Sequence, residues 1–159
     1  MSSMKFVVLL VAVVYMVNAL PVTDQSYLAP YLNKEYKLAT SDEHFEEVMK
    51  ALDVSFLKRK LALLAKPVIK LTEQDGKYTL TSESVFKNTR TTFRLGEEFE
   101  EETPDDRVVE SIITQDKNKL IHTQKGDKVT TITREFSDDQ VKVTVQVDDI
   151  VSIRTYVPV

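Results

Sequence analysis

From Pro67 onward the chain is a succession of nine strand-length segments, each cut off by a turn signal before it could lengthen into a helix. The segments are 67–73, 77–84, 88–95, 98–103, 107–115, 119–125, 128–136, 141–147 and 150–157. Turn residues separate most of them, at Asp75-Gly76, Asp116-Lys117-Asn118, Gly126-Asp127, Ser137-Asp138-Asp139 and Asp148-Asp149. The clearest strand is Val141-Lys142-Val143-Thr144-Val145-Gln146-Val147, whose strict period of two puts valine on one face and polar groups on the other. Turn signals spaced roughly 8 to 12 residues apart point to an antiparallel barrel or sandwich. A further strand at Glu35-Tyr36-Lys37-Leu38 brings the total to about ten, and closing such a set into a barrel is the simplest way to hide its edges.

Two helices are expected between the first strand and Pro67. Thr40 stands three residues before Glu43, a capping-box spacing, and Phe45, Val48, Met49 and Leu52 follow at the i, i+3, i+4, i+7 repeat of one helical face. The second helix starts near Ser55 as N-cap and carries Phe56, Leu57, Leu61 and Leu64. It must end before Pro67, whose ring disfavours helix at Lys66. Inserted after the first strand, the pair could cap an open end of the barrel.

At 159 residues one domain is expected, and the composition narrows its chemistry. With 25 acidic against 21 basic side chains and no block of Lys or Arg, there is no cationic footprint for nucleic acid. The lack of cysteine excludes disulfides, thiolate zinc sites and cysteine nucleophiles together. His44 and His122 are the two histidines, and no nucleophile elbow, phosphate-cradling glycine loop or metal-ligand spacing occurs. No catalytic residue, metal or cofactor is expected.

The N-terminus reads as a secretory signal. Lys5 precedes an apolar run of twelve residues, Phe6 to Val17, and Val17-Asn18-Ala19 offers small residues for cleavage. A membrane-spanning helix would need ~20 apolar residues. The expected organisation is a signal peptide at 1–19, cut near Ala19-Leu20, an extension or linker at 20–33, and a barrel domain at 34–159. Pro21 and Pro30 mark the linker, although Tyr27, Leu28 and Tyr31 could pack on the domain. A secreted protein is the expectation.

Tyr36-Lys37-Leu38 followed by His44-Phe45-Glu46-Glu47-Val48-Met49-Lys50-Ala51-Leu52 resembles the opening of the fatty-acid-binding proteins, the intracellular lipid-binding group of the calycin superfamily. Phe86-Lys87-Asn88-Thr89, the stretch from Phe93 to Phe99, and Lys119-Leu120-Ile121-His122-Thr123-Gln124-Lys125 resemble its middle. Thr133-Arg134-Glu135-Phe136 and Arg154-Thr155-Tyr156 resemble its ligand-reading end. The resemblance implies an all-β fold: a ten-stranded antiparallel up-and-down barrel, or β-clam, with a two-helix lid after the first strand. It also implies an internal cavity for one long-chain fatty acid in a monomeric carrier. The chain departs from the family pattern in one extra residue between Leu38 and Phe45, and in Asn33 and Asp53 where glycine is common. Some turns must then hold Asn or Asp in left-handed conformations. The family is mostly cytosolic, so the signal peptide is a departure too.

The candidate site can be weighed residue by residue. Arg134 shares a face with Ile132 and Phe136, so it is a cation on an apolar face, paired either with a ligand carboxylate or with a glutamate of the barrel. Arg154 and Tyr156 share a face with Ser152 and Ile150, which period alone would turn to solvent, leaving Val151, Ile153 and Val157 inside. The resemblance implies the reverse: Arg134, Arg154 and Tyr156 pointing inward to hold the carboxylate. Phe45 and Met49, with Leu52, would line the inner side of the first helix, although helical spacing demands a buried stripe there anyway and favours ordinary core packing. Phe86 is the portal residue by resemblance. Lys58, Arg59, Lys60 and Lys87, with Lys66 and Arg90, form either a basic rim able to attract an anionic membrane surface or the incoming acid, or a solvated face. The acidic run from Glu97 to Asp106 reads as an exposed edge and turn. Two other readings stay open: a barrel scaffold working through surface protein contacts, and a retinoic-acid-type carrier.

Overall fold

A computed structural model of the protein describes residues 25–159. The expected signal peptide and the first residues of the extension lie outside them. Ten strands form one antiparallel sheet: β1 (Glu35–Ser41), β2 (Val68–Gln74), β3 (Lys77–Glu83), β4 (Thr89–Phe93), β5 (Glu98–Glu102), β6 (Val108–Asp116), β7 (Lys119–Lys125), β8 (Val129–Phe136), β9 (Val141–Val147) and β10 (Ile150–Pro158). Neighbours in the chain are neighbours in the sheet, except that β1 also pairs with β10 and that β4 and β5 are not bonded to each other. The result is a nearly closed barrel with one seam. At that seam a cleft of about 280 Å³ opens, with Thr89, Thr91, Phe99 and Glu101 on its walls.

Two helices, α2 (His44–Ala51) and α3 (Phe56–Leu64), follow β1 and form the lid. Strand β1 leaves β2 after Lys37 but stays on β10 as far as Ser41, through a bulge between Leu38 and Thr40. The bulge takes up one extra residue in β1, in the interval where the chain exceeds the family spacing. It also corrects the capping box. Thr40 is bonded opposite Thr155 in the sheet and cannot cap a helix; α2 starts at His44 with Glu43 at the N-cap position and no side-chain cap. The Asp42 carboxylate instead accepts from Ser152 Oγ at 2.7 Å and from the Ile153 amide at 2.6 Å, fastening the end of β1 to β10. Ser55 occupies the α3 N-cap position, also without a side-chain bond.

The end opposite the lid is packed by aromatic and aliphatic side chains. Tyr36 meets Phe136 edge-on at 6.4 Å, Tyr31 stacks on Phe136 at 5.8 Å, and Tyr78, Phe93 and Phe99 stack in sequence. Leu28, at 0% exposure, belongs to this cluster. It lies on α1 (Gln25–Leu28), which runs into a 3₁₀ turn at Ala29–Tyr31, so this part of the extension docks on the barrel through Leu28 and Tyr31 while Tyr27 stays exposed. Among the described residues, six non-glycine residues take positive φ: Asn33, Asp53, Asp75, Asp106, Lys117 and Asp148. Five of them are Asn or Asp, whose short polar side chains make the left-handed conformation affordable in a glycine-poor chain.

Candidate functional site

The inward face of β10 carries Ser152, Arg154 and Tyr156; Ser152 is fully buried and Tyr156 is 5% exposed. Val151, Ile153 and Val157 on the other face are each about 40% exposed. The strand is therefore turned as the resemblance implied and against its own hydrophobic pattern. A barrel interior lined by polar groups inverts the usual rule, because the polar face is the enclosed one. Inward-facing Ile132, Arg134, Val145 and Arg154 keep partial accessibility, and Ile132 and Val145 pack against the buried cluster.

Arg154 is held between rings. Its guanidinium lies 4.0 Å from the centroid of Phe45, on α2, and 5.9 Å from that of Tyr156. Stacking on a ring leaves the guanidinium edge, with its N–H groups, as the part able to donate. Arg154 Nε is buried and has no hydrogen-bond partner. Burial pushes its pKa below the usual arginine value, with Tyr156 and Asp42 opposing the shift, yet the group stays charged at neutral pH. Among the described residues no carboxylate forms an ion pair with either Arg154 or Arg134.

Arg134, from β8, has its guanidinium Nη1 3.4 Å from His122 Nδ1, to which it donates. Beyond the ring lies Glu101, on β5. Its Oε2 accepts from Ser111 Oγ at 2.6 Å, His122 Nε2 at 2.8 Å and Gln124 Nε2 at 3.1 Å. Burial alone would raise the Glu101 pKa, but the bonds from His122, Ser111 and Gln124 outweigh it and hold the carboxyl below its ordinary range. Glu101 is 7% exposed, which corrects the reading of the whole run 97–106 as an exposed edge. Period two within β5, β6 and β7 puts Glu101, Ser111, His122 and Gln124 on inward faces, the one sequence signal that could have found this network.

The lid residues divide. Val48 and Met49 are buried, Phe45 is half-buried on Arg154, and Leu52 is half-buried. Phe86 lies in the exposed turn between β3 and β4 and is 46% exposed. Lys58, Arg59, Lys60 and Lys87 of the basic rim are paired with acids. Lys58, from α3, and Lys87, beside Phe86, both donate to Asp106 in the β5–β6 turn, whose carboxyl they pull down to about 2. Arg59 and Lys60 both reach Glu46 of α2, at 3.5 and 3.1 Å. These ion pairs stitch α3 to the β5–β6 turn and to α2, and Lys87 ties the β3–β4 turn to the same aspartate. Among the described residues, no group of three or more His, Asp or Glu side chains is placed to hold a metal ion.

The model of the lipocalin / cytosolic fatty-acid binding protein family matches residues 34–158. The muscle fatty acid-binding protein of Schistocerca gregaria is 52% identical over 124 residues, 77% of this chain and 92% of that protein. Among solved structures, the brain fatty acid-binding protein of Drosophila melanogaster superposes with a TM-score of 0.77 at 44% identity, covering 80% of this chain and 98% of the other. A Schistosoma mansoni fatty acid binding protein in complex with arachidonic acid gives 0.80 at 36% identity, over 84% of this chain and 98% of that one.

Proposed function

The chain belongs to the lipocalin / cytosolic fatty-acid binding protein family, and from that premise we propose that it is a non-enzymatic, monomeric carrier enclosing one long-chain fatty acid, or a similar acidic apolar ligand, within the barrel. The observation that carries the reading is Arg154: a cation stacked on Phe45, its Nε buried and unpartnered, with no carboxylate of the described residues paired to it. Burying such a charge is costly unless an anion arrives to pair with it. In this reading Arg154 and Tyr156 donate to the ligand carboxylate, and Arg134 donates from β8, the next strand but one in the sheet. A charge-assisted hydrogen bond contributes ~1.5–3 kcal/mol, whereas each buried methylene of the tail contributes ~0.8 kcal/mol. The tail then dominates affinity, and the head-group contacts set orientation and selectivity for acids.

Phe86 and the exposed Phe56, Leu57 and Leu64 of α3 stand at the portal, where brief contact with an anionic membrane surface would deliver or accept the lipid. Since Lys58, Arg59, Lys60 and Lys87 have acidic partners, the apolar side chains support that contact more than the charges do. The signal-like N-terminus, Lys5 followed by Phe6 to Val17 and Val17-Asn18-Ala19, supports a secreted carrier.

The test is native mass spectrometry with organic extraction of non-denatured protein from the culture medium, followed by titration of delipidated protein with oleate. We expect one co-purified fatty acid per chain, and about 10- to 100-fold weaker oleate binding for Arg154→Ala, with a smaller loss for Tyr156→Phe. Protein that takes up retinoic acid in preference to oleate would make it a retinoid carrier. Refusal of both acids would overturn the carrier reading and leave a barrel scaffold.

A further inference from the structure

Glu101, His122 and Arg134 come from three strands and form one chain of hydrogen bonds leading to the proposed head-group site. His122 Nε2 is 2.8 Å from Glu101 Oε2, and His122 Nδ1 is 3.4 Å from Arg134 Nη1. The direction of each bond follows from the partners. An ionised carboxylate has no proton to give, and a guanidinium has no lone pair to receive one. The ring is therefore neutral, with its proton on Nε2 and the lone pair of Nδ1 turned to Arg134.

The groups around the ring decide what disturbs that arrangement. Glu101 faces it from β5 and Arg134 from β8; Ser111 of β6 and Gln124 of β7 bond to Glu101 and do not titrate. Phe99 covers it at 6.3 Å, and Tyr156 of β10 acts on Arg134. Burial holds the pKa of His122 below the ordinary histidine value; the Glu101 bond opposes this and the charge on Arg134 reinforces it.

A ligand carboxylate arriving at Arg134 would change two of these influences together. It draws the guanidinium N–H groups toward itself, leaving the Nδ1 lone pair without a donor in a buried place. It also cancels the positive charge that kept a second proton off the ring. Both changes favour protonation at Nδ1, and the cleft at the β4–β5 seam, which Glu101 lines, gives water a way to supply the proton.

We infer that His122 is a positioning residue for the ligand head group, aiming Arg134 when neutral and taking up a proton when the carboxylate binds. The inference rests on the fatty-acid reading above and names a residue set behind the one that touches the ligand. The protonated ring would donate from both nitrogens, Nε2–H to Glu101 and Nδ1–H toward the ligand oxygen, so the charge brought by the acid is matched by one proton. Proton uptake on binding makes affinity rise as pH falls through the window between the His122 pKa of the free protein and the higher one of the complex. Above that window the linkage vanishes.

The experiment is calorimetric titration of delipidated protein with oleate, kept below its aggregation limit at about pH 6.5, in buffers with different ionisation heats. The apparent heat should vary with the buffer, giving a fraction of a proton taken up per oleate. His122→Gln, which keeps one donor and one acceptor but does not titrate, should bind oleate with that fraction removed. The same variant corrects for any proton carried by oleate itself. Independently of any variant, long-range ¹H–¹⁵N NMR of wild type should show His122 with its proton on Nε2 alone when free and with both nitrogens protonated when oleate is bound. Binding with equal proton uptake in wild type and His122→Gln, or a ring that stays neutral in the complex, would overturn this inference and leave the carrier reading standing. Absence of any binding heat with oleate would remove both.

Discussion

Two charged residues facing the barrel interior, Arg154 and Glu101, differ in how far the sequence announces them. Arg154 is found only by resemblance, because the alternation of β10 places valine and isoleucine opposite it and so argues for the wrong face. The enclosed space of this barrel is partly polar, and hydrophobic periodicity does not report such an interior. Glu101 is hidden in an acidic run whose other members are mostly exposed, and its burial depends on Ser111, His122 and Gln124 arriving from two other strands. Removing one of those donors should cost stability. Ser111→Ala leaves the carboxylate with two donors and should lower unfolding free energy at neutral pH by about 1–3 kcal/mol, read from urea unfolding. The sign of the pH effect follows from the lowered pKa. A carboxyl held below its free value stabilises the fold above the unfolded pKa and gives that up as pH falls through the folded one. Weakening its bonds brings the folded value back up, so acid unfolding of Ser111→Ala, followed by circular dichroism, should begin at higher pH than in wild type.

The strands are the most legible elements, since nine segments read from turn signals correspond to β2 through β10 within a residue or two. The helices were legible in place, and α3 also in its start at Ser55, but α2 was not legible in its start. Thr40 mimics a capping box in sequence, yet the bulge in β1 keeps it in the sheet, and bulges of this kind leave no composition signal. The lid's attachment is likewise a tertiary matter. Lys58 of α3 and Lys87 of the β3–β4 turn meet on Asp106, three segments that sequence spacing cannot bring together. Asp106→Asn removes the charge both lysines share and should speed amide hydrogen exchange in α3 while leaving β6 to β9 unchanged, as mass spectrometry would show. With the Asp106 carboxyl at about 2, its contribution to holding the lid is complete above the ordinary aspartate pKa and is lost as pH falls toward 2. Equal exchange in α3 of both proteins would mean that Glu46 and apolar packing hold the lid without it.

For the whole molecule, strand count and antiparallel order were readable because the turns after β2 are short and, apart from β4 and β5, each strand pairs with its successor. The docking of Leu28 was not decidable from residues 20–33 themselves, where two prolines argue for a linker and two tyrosines and a leucine for packing. What the turn signals also could not locate is the seam. Strands β4 and β5 are joined by a short turn like the others, yet they do not pair, while β1 and β10, at opposite ends of the domain, do. Val159 donates its amide to Glu35 O, so the C-terminus ends beside the first strand. A chain reopened at Gly96 and joined from Val159 to Gln25 by a glycine-serine linker would run in the order of its own sheet, β5 through β10 and then β1 through β4. Every strand would then pair with the next strand in the chain, and the long loop closure between β1 and β10 would disappear from the search. Such a permutant should refold faster than the natural chain in stopped-flow experiments; equal rates would place the slow step elsewhere. The seam that leaves the barrel one strand pairing short is also the place where its connectivity could be rewritten without cutting a hairpin that holds it together.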